Sequence, residues 1–549
     1  MPSSETDEGH GGAFGGSCIL LAMSRQQSVQ AVLDLLEEAL IQLDVSRGFP
    51  LLDAHSRMLE QLDPETPEAI RFLLLRAQWA DLGHGDVQLV AKLHARFARL
   101  EIAHMPFLDF LKLRLAEAFI GLSMENLDEC ISNLDLILRA GNNVLCPQLR
   151  FVAHFWKARA HRKKGEYEHS LLHIAAARTT AENIGVAKLA AVVKIHESWL
   201  IFQKGERRQA LQLLDEAEEE LRPTGHALSL GNIESARGRF VRRSGEYAAA
   251  LTHFERAISI YSSAFSRHPN YARALVNAAY VKRLIALDMQ TKMHKGSARG
   301  EVHSRYQRIL KEAIKLLERA GAIYALHHYQ SGTGSVLVNA GHLHLEGGDI
   351  DRAAKEAENG YALGCEKNDL ILMARSRILH AAVELARADE EMEEHLGSAQ
   401  HADLAVRHAE DAIELAAHTQ NKRLLAEAYI LRGAAAAADS CQDWQLAKTY
   451  AGKAGELLSP DDRDHLLKEL GALKSKILRS ANMDQALRRW SEGDIGNKTF
   501  QQIQEEFAEI VIPKVWLSQG KNITRVAQAL SMSPKKVRRI LRRVSPSGD

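Results

Sequence analysis

A small or apolar residue returns at a fixed interval along most of this chain, and few folds accommodate such a pattern. Val90, Cys130, Ser170, Ala210 and Ala250 are spaced by 40 residues, and Ala313 and Ala353 by 40 again. Ala405 and Ala447 continue the series at longer steps. A period of this size marks a stack of similar units, each burying its apolar face only against its neighbours. The spacing therefore predicts one all-α solenoid over 28–480, built from about nine or ten helix pairs. Three or four independent domains, the ordinary expectation for 549 residues, are disfavoured. Composition agrees. Hydrophobic residues make up 46%, enough for a continuous core, while 6% aromatics and 12 prolines suit small-residue helix packing better than a β-rich fold.

The unit itself can be read in 238–257. Gly238, Gly245, Tyr247, Ala250, Phe254 and Ala257 combine small residues, which let two helix backbones nest, with aromatics that fill the gap beside the crossing. Gly165 and Tyr167 before Ser170, Ile174 and Ala177 repeat the arrangement, as do Gly205 before Ala210 and Gly348 before Ala353. These residues resemble the tetratricopeptide (TPR) family of helix-turn-helix repeats. The resemblance implies a right-handed α-solenoid with a concave groove. The period of 40 exceeds the family's usual length, so each helix is expected to carry nearly one extra turn. Two irregular steps read as surface insertions: a long loop at Gln290–Gly300 and the acidic stretch Asp389–Glu394.

A second series runs beside the first. Trp79, Phe119, Arg159, Trp199 and Arg239 recur at 40, with His342 later; three residues on stand Leu82, Leu122, Arg162, Phe202 and Arg242. By the TPR resemblance these positions face the groove. They would form a partner channel, apolar at its N-terminal end and basic around Arg159, Arg162, Arg239 and Arg242, suited to a protein or peptide with an acidic group. The same residues admit a second reading: arginines near helix C-termini complement the macrodipole, and the aromatics are inter-repeat core.

Enzyme signatures are absent. Gly493–Thr499 has the wrong spacing for a phosphate-binding loop, and His196-Glu197 lacks the second histidine of a zinc-protease helix. His327-His328 and His342/His344 have no carboxylate or cysteine at a spacing that would close a metal site. No catalytic residue, cofactor or metal is expected. Five cysteines without a CxxC pattern suit a reducing cytosol. The apolar run Ser17–Met23 is too short for a membrane span, so no membrane partner is expected. Residues 1–27 lack helical periodicity and read as a disordered tail; the amphipathic pattern begins after Ser24, which makes Met23 a second candidate start.

The chain has 70 basic and 70 acidic residues, yet the balance is uneven. Residues 519–549 hold eight basic residues and one acidic, a net +7 that the rest of the chain offsets with −7. Within that tail, Ile523, Val526, Ala527 and Leu530 make one helical stripe and Val537, Ile540, Leu541 and Val544 another. Asn522 caps the first helix; Ser533 and Pro534 start the second. Two short amphipathic helices joined this way form a helix-turn-helix. The string Asn522-x-Thr524-Arg525-x-Ala527-x-x-Leu530-x-Met532-Ser533, followed by Val537-Arg538 and Leu541-Arg542-Arg543, resembles the Fis-type helix-turn-helix. Pro534 and Ser533 depart from residues common in that family, and the central ATPase domain of the larger activators is absent.

The resemblance implies that 481–549 binds double-stranded DNA, with Lys536, Arg538 and Arg539 near base edges. Asn522, Thr524, Arg525 and Arg543 match positions that hold phosphates, and Ser533, Lys535 and Arg542 complete the face. It also implies a homodimer through the preceding helix, whose Phe500, Ile503, Phe507 and Ile510 lie on one side; Pro513 is expected to kink that helix. The sequence thus predicts a bacterial, cytoplasmic, nucleoid-associated transcriptional regulator. The alternative is an interaction scaffold whose basic C-terminal helices bind a partner rather than DNA.

Overall fold

The computed structural model describes residues 28–481, 490 and 496–544, apart from 86, 101–103, 142, 294–298, 394–398, 440, 460 and 461. Among the described residues every regular element is helical. After α1 (28–41) and α2 (Val45–Leu59) come α3 (Pro67–Asp81), α4 (Val87–Ala95), α5 (Phe107–Ser123) and α6 (Leu127–Arg139). The middle of the chain forms α7 (Pro147–Lys164), α8 (Tyr167–Ile184), α9 (Ala187–Gln203), α10 (Arg207–Leu221), α11 (Ala227–Arg243) and α12 (Tyr247–Ala264). Then follow α13 (Pro269–Met293), α14 (Arg299–Leu326), α15 (Gln330–Glu346), α16 (Ile350–Lys367), α17 (Leu370–Glu393), α18 (Ala399–Ala417), α19 (Lys422–Ala436), α20 (Trp444–Leu457) and α21 (His465–Ala481). Each helix packs on the next, and odd-numbered helices also touch the following odd-numbered helix at most steps. Ten pairs and a last helix therefore make a solenoid whose odd-numbered helices line the tighter, inner surface.

The boundaries have local causes. Thr66 accepts from the Ala69 N–H and Pro67 occupies the first helical position of α3. The inner helices end on residues in the left-handed region at the same 40-residue interval: Gly165 (φ 82°), Gly205 (φ 95°) and Gly245 (φ 78°). Glu125 occupies the equivalent place with φ 66°, a conformation a non-glycine residue adopts at a cost.

The repeated anchors are the pivots of packing. Val90, Cys130, Ala210, Ala250, Ala313, Ala353, Ala405 and Ala447 are all 0% exposed and Ser170 is 1% exposed. Each outer helix is pinned there against its inner partner. The Ser170 hydroxyl donates to the Ala158 carbonyl at 2.8 Å. A Cβ on Gly121 would stand 3.3 Å from the Cys130 Cβ, one on Gly341 3.4 Å from the Ala353 carbonyl, and one on Gly433 3.4 Å from the Ala447 carbonyl. A residue larger than glycine on the inner helix, or much larger than alanine on the outer, would push the pair apart.

The two irregular steps are lengthened helices. Where a long loop was expected over Gln290–Gly300, Gln290–Met293 closes the 25-residue α13 and Arg299–Gly300 opens the 28-residue α14; 294–298 lie outside the described residues. The acidic stretch continues α17 as far as Glu393. The described helix ends, Gln290–Met293 and Asp389–Glu393, contain no Pro or Gly, so each helix runs on past the point where its register breaks.

The solenoid closes on itself between turns. The His226 ring lies 3.1 Å from the Leu82 carbonyl, the Ser331 N–H donates to Glu125 at 2.8 Å, and the Gln420 N–H donates to the Gly165 carbonyl at 3.0 Å. Arg243 pairs with Asp462 at 3.0 Å, and Arg423 pairs with both Asp462 and Asp464. Apart from the Arg423 pairs, which span 39 and 41 positions, these contacts join residues 144 to 255 positions apart in sequence and wrap the inner surface around a chamber.

The C-terminal region forms α22 (Phe500–Ser518), α23 (Ile523–Ala529) and α24 (Pro534–Val544). A capping box of Thr499 and Gln502 starts α22, which runs on through Pro513 as one helix. Residues 482–489 and 491–495 fall outside the described residues, as do residues 1–27, read above as a disordered tail.

Candidate ligand chamber and basic helix pair

The chamber enclosed by the odd-numbered helices has a volume of about 930 Å³. Its wall carries Trp199 from α9, Arg239 and Arg242 from α11, Arg273 and Tyr280 from α13, and Arg375 from α17. The structure divides the residues read as a partner groove into three groups.

Trp79 and Phe119 belong to the packed interior. Trp79 is 0% exposed and its ring would overlap a Cβ on Gly48, while Phe119 packs on Trp156 with centroids 5.2 Å apart. Their 40-residue spacing is the spacing of core contacts between successive inner helices. Arg159 lies close to the chamber but is neutralised: Asp81 holds it at 2.6 Å and also accepts from the Trp156 indole at 2.9 Å. Trp199, Arg239 and Arg242 line the wall itself, and Arg162 lies over the Trp199 ring at 5.6 Å. Arg242 stacks on Tyr280 at 4.7 Å.

The electrostatics inside are unusual for a protein core. Burial, with Arg273 and Arg159 nearby, lowers the Arg162 guanidinium to about 10; burial, with Arg162 and Arg273, lowers Arg239 to about 9. Burial and the same arginines push His196 well below the ordinary histidine range. The Nε atoms of Arg162 and Arg239 are buried without a hydrogen-bond partner. Sequence reasoning missed Arg273 and Arg375. They sit in the early turns of α13 and α17, whereas the series above tracked one position near the end of each inner helix.

The C-terminal trio is built on a small apolar core of Ile512, Val526, Ala527, Val537 and Ile540, with Ala508, Trp516, Leu530 and Leu541 packed around it. Both predicted stripes thus meet α22. The Asn522 side chain accepts from the Thr524 and Arg525 N–H groups at 3.0 and 3.2 Å, and Ser533 accepts from the Lys536 N–H at 3.3 Å. Asn522, Thr524, Arg525, Ser533, Lys535, Lys536, Arg538, Arg539, Arg542 and Arg543 are all exposed. Arg543 meets Glu505 and Glu509 of α22 at 3.4 and 3.6 Å. On α22, Phe500 is 74% and Phe507 50% exposed, while Ile503 and Ile510 are half-buried.

Among the described residues no helix is long and apolar enough to cross a membrane. No family model matches the chain, and no curated protein matches it. Solved structures similar to it include a Rap protein complexed with the competence and sporulation factor, at 13% identity over 78% of this chain and 99% of that one, TM-score 0.42. Others are the apo form of the quorum sensor NprR from B. thuringiensis (12% identity, 62% and 99% coverage, TM-score 0.39) and aspartyl phosphate phosphatase F from Bacillus subtilis (14%, 80% and 96%, TM-score 0.40). Likeness at these levels carries no functional argument.

Proposed function

We propose that this chain is a DNA-binding regulator whose solenoid receives a peptide or protein segment in its chamber. The chamber carries the interaction half of this reading. A core built only for stability fills its interior, whereas this one keeps an accessible volume of about 930 Å³ walled by arginines, tyrosines and a tryptophan. The DNA half is supported by the C-terminal trio. Its apolar residues are used up in one core, and that leaves an exposed basic face on α24, of which Arg543 is tied to Glu505 and Glu509 of α22. Lys535 and Lys536 stand in the first turn of α24, where the macrodipole disfavours cations, an arrangement that fits an anionic partner there.

In this reading α24 enters the major groove, Arg525 and Arg543 hold phosphates, and Phe500, Ile503, Phe507 and Ile510 pair two copies. Two recognition helices would then meet half-sites about 34 Å apart. The competing reading, a scaffold whose basic helices bind a protein, is favoured by how much of the chain is solenoid. Selection of bound duplexes from a random pool by the full chain separates the two. A two-fold symmetric motif supports the regulator; a pool that stays random supports the scaffold.

A further inference from the structure

Arg239 and Arg273 line the chamber, and Arg162 lies beside them over the Trp199 ring of its wall. Arg162 comes from α7, Arg239 from α11 and Arg273 from α13, and each lowers the charge affinity of a neighbour or of His196. Among the described residues none of the three forms an ion pair, and the Nε atoms of Arg162 and Arg239 are buried and unpartnered. Arg273 differs from the other two: burial opposes its charge, but Tyr329, Tyr324 and Tyr261 around it, with a hydrogen bond to Tyr329, hold its guanidinium above the ordinary range. Three acids of the chamber are engaged elsewhere: Glu346 with Arg283 at 2.9 Å, Glu469 with His465 at 2.9 Å, and Asp464 with Arg423. Glu427 has Arg375, Arg283 and Arg423 as its charged neighbours rather than this trio.

A buried cation is stable only when an anion or a full set of acceptors replaces its water, and three close together repel one another as well. Arg159, one turn from Arg162, shows how the same fold neutralises such a charge when it needs to, since Asp81 meets it at 2.6 Å. No such acid is supplied for the trio. Arginine's forked donors match the two oxygens of a carboxylate or the face of a phosphate, and the Trp199 ring, under Arg162 and edge-on to Tyr167 at 5.1 Å, adds a flat apolar wall.

We propose that Arg162, Arg239 and Arg273 form the seat of an anionic group, carboxylate or phosphate, carried by the segment that the chamber receives. This rests on the reading of the chamber as a ligand site. The occupied seat is the stable state; the unoccupied one carries unpaired charge.

The test uses the full chain at moderate salt, with calorimetry and thermal unfolding. The probes are pyrophosphate, hexaglutamate and hexaglutamine. Pyrophosphate or hexaglutamate should bind saturably and raise Tm, hexaglutamine should not, and whichever anion is stronger tells phosphate from carboxylate. In an Arg162→Met/Arg239→Met variant the unliganded Tm should be unchanged or higher, because the two buried, unpartnered guanidinium groups are removed, and anion affinity should fall at least tenfold. The basic C-terminal helices also attract polyanions, so only the component lost in this variant counts. Should the double variant fail to fold, Arg239→Gln alone should still weaken the anion component severalfold.

A variant that unfolds more easily yet keeps the full anion response would overturn the seat and make the arginines structural. Equal binding of hexaglutamate and hexaglutamine would overturn the seat but leave the chamber as a peptide site. Binding of no probe would overturn both.

Discussion

At the level of single residues, the account turns on positions where size or charge has no latitude. Ala250 is 0% exposed and lies in the repeat whose Gly238 would place a Cβ 2.9 Å from Phe254. Ala250→Leu should therefore separate α11 from α12 and cost about 1–3 kcal/mol, measured by urea denaturation; an unchanged midpoint would contradict the repeat register. Buried histidines add a pH dependence. Burial, then Lys157, holds His154 down to about 4 and His173 to about 3, and their Nδ1 atoms stand 3.0 Å apart. Burial and Arg273 hold His268 to about 3. The unfolded chain takes up these protons near pH 6.5 while the folded one refuses them. Stability is thus complete above about 6.5 and falls as pH drops towards 4. The urea midpoint should be lower at pH 5 than at pH 7, and His173→Gln should narrow the difference; equal midpoints would refute it. The small anchors were legible in the sequence because their cause is local and repeats. The fate of Trp79 and Phe119 was not, since core and groove positions share one period and differ only in which face of the inner helix they occupy.

Among the elements, the longest departures from expectation are α13, α14 and α17. Their sequences broke the 40-residue register, and a break reads equally as a loop or as a longer hairpin. Gly296 and Gly397 stand just beyond the ends of α13 and α17, so the sequence itself did not say how far each helix runs. Arg273, the third member of the arginine trio, was hidden for another reason: it stands in the first turns of α13, away from the position the 40-residue series followed. The C-terminal helices were easier, because caps and stripes are short-range signals: Asn522 and Ser533 cap α23 and α24 as their spacing suggested. On the proposed function, α24 is the recognition helix. Arg539→Ala should weaken the selected duplex by roughly 1–3 kcal/mol relative to a scrambled one, if its guanidinium reads a base edge. Arg525→Ala, at the start of α23, should weaken both alike. Electrophoretic mobility shifts with the two duplexes measure the difference, and an equal loss in both variants would remove α24 from sequence readout.

For the whole molecule, closure of the solenoid is what turns a row of inner helices into a chamber. No feature of the sequence announced it, because its contacts join residues more than 140 positions apart. The most buried of these contacts is Asp462, shared by Arg243 and Arg423. Asp462→Ala would strand Arg243 at a sealed seam, leave Arg423 with Asp464 alone, and should cost on the order of 3–5 kcal/mol in thermal unfolding; a neutral effect would mean the seam is open in solution. The central claim, that a ligand-receiving solenoid carries a DNA-binding end, is tested most directly by fluorescence anisotropy of the full chain on a labelled duplex across about 50–200 mM salt. The account predicts that log K falls linearly with log salt, by about 0.9 for each phosphate held, and that removal of 519–549 abolishes binding. A flat salt response, or unchanged binding after that removal, would contradict it.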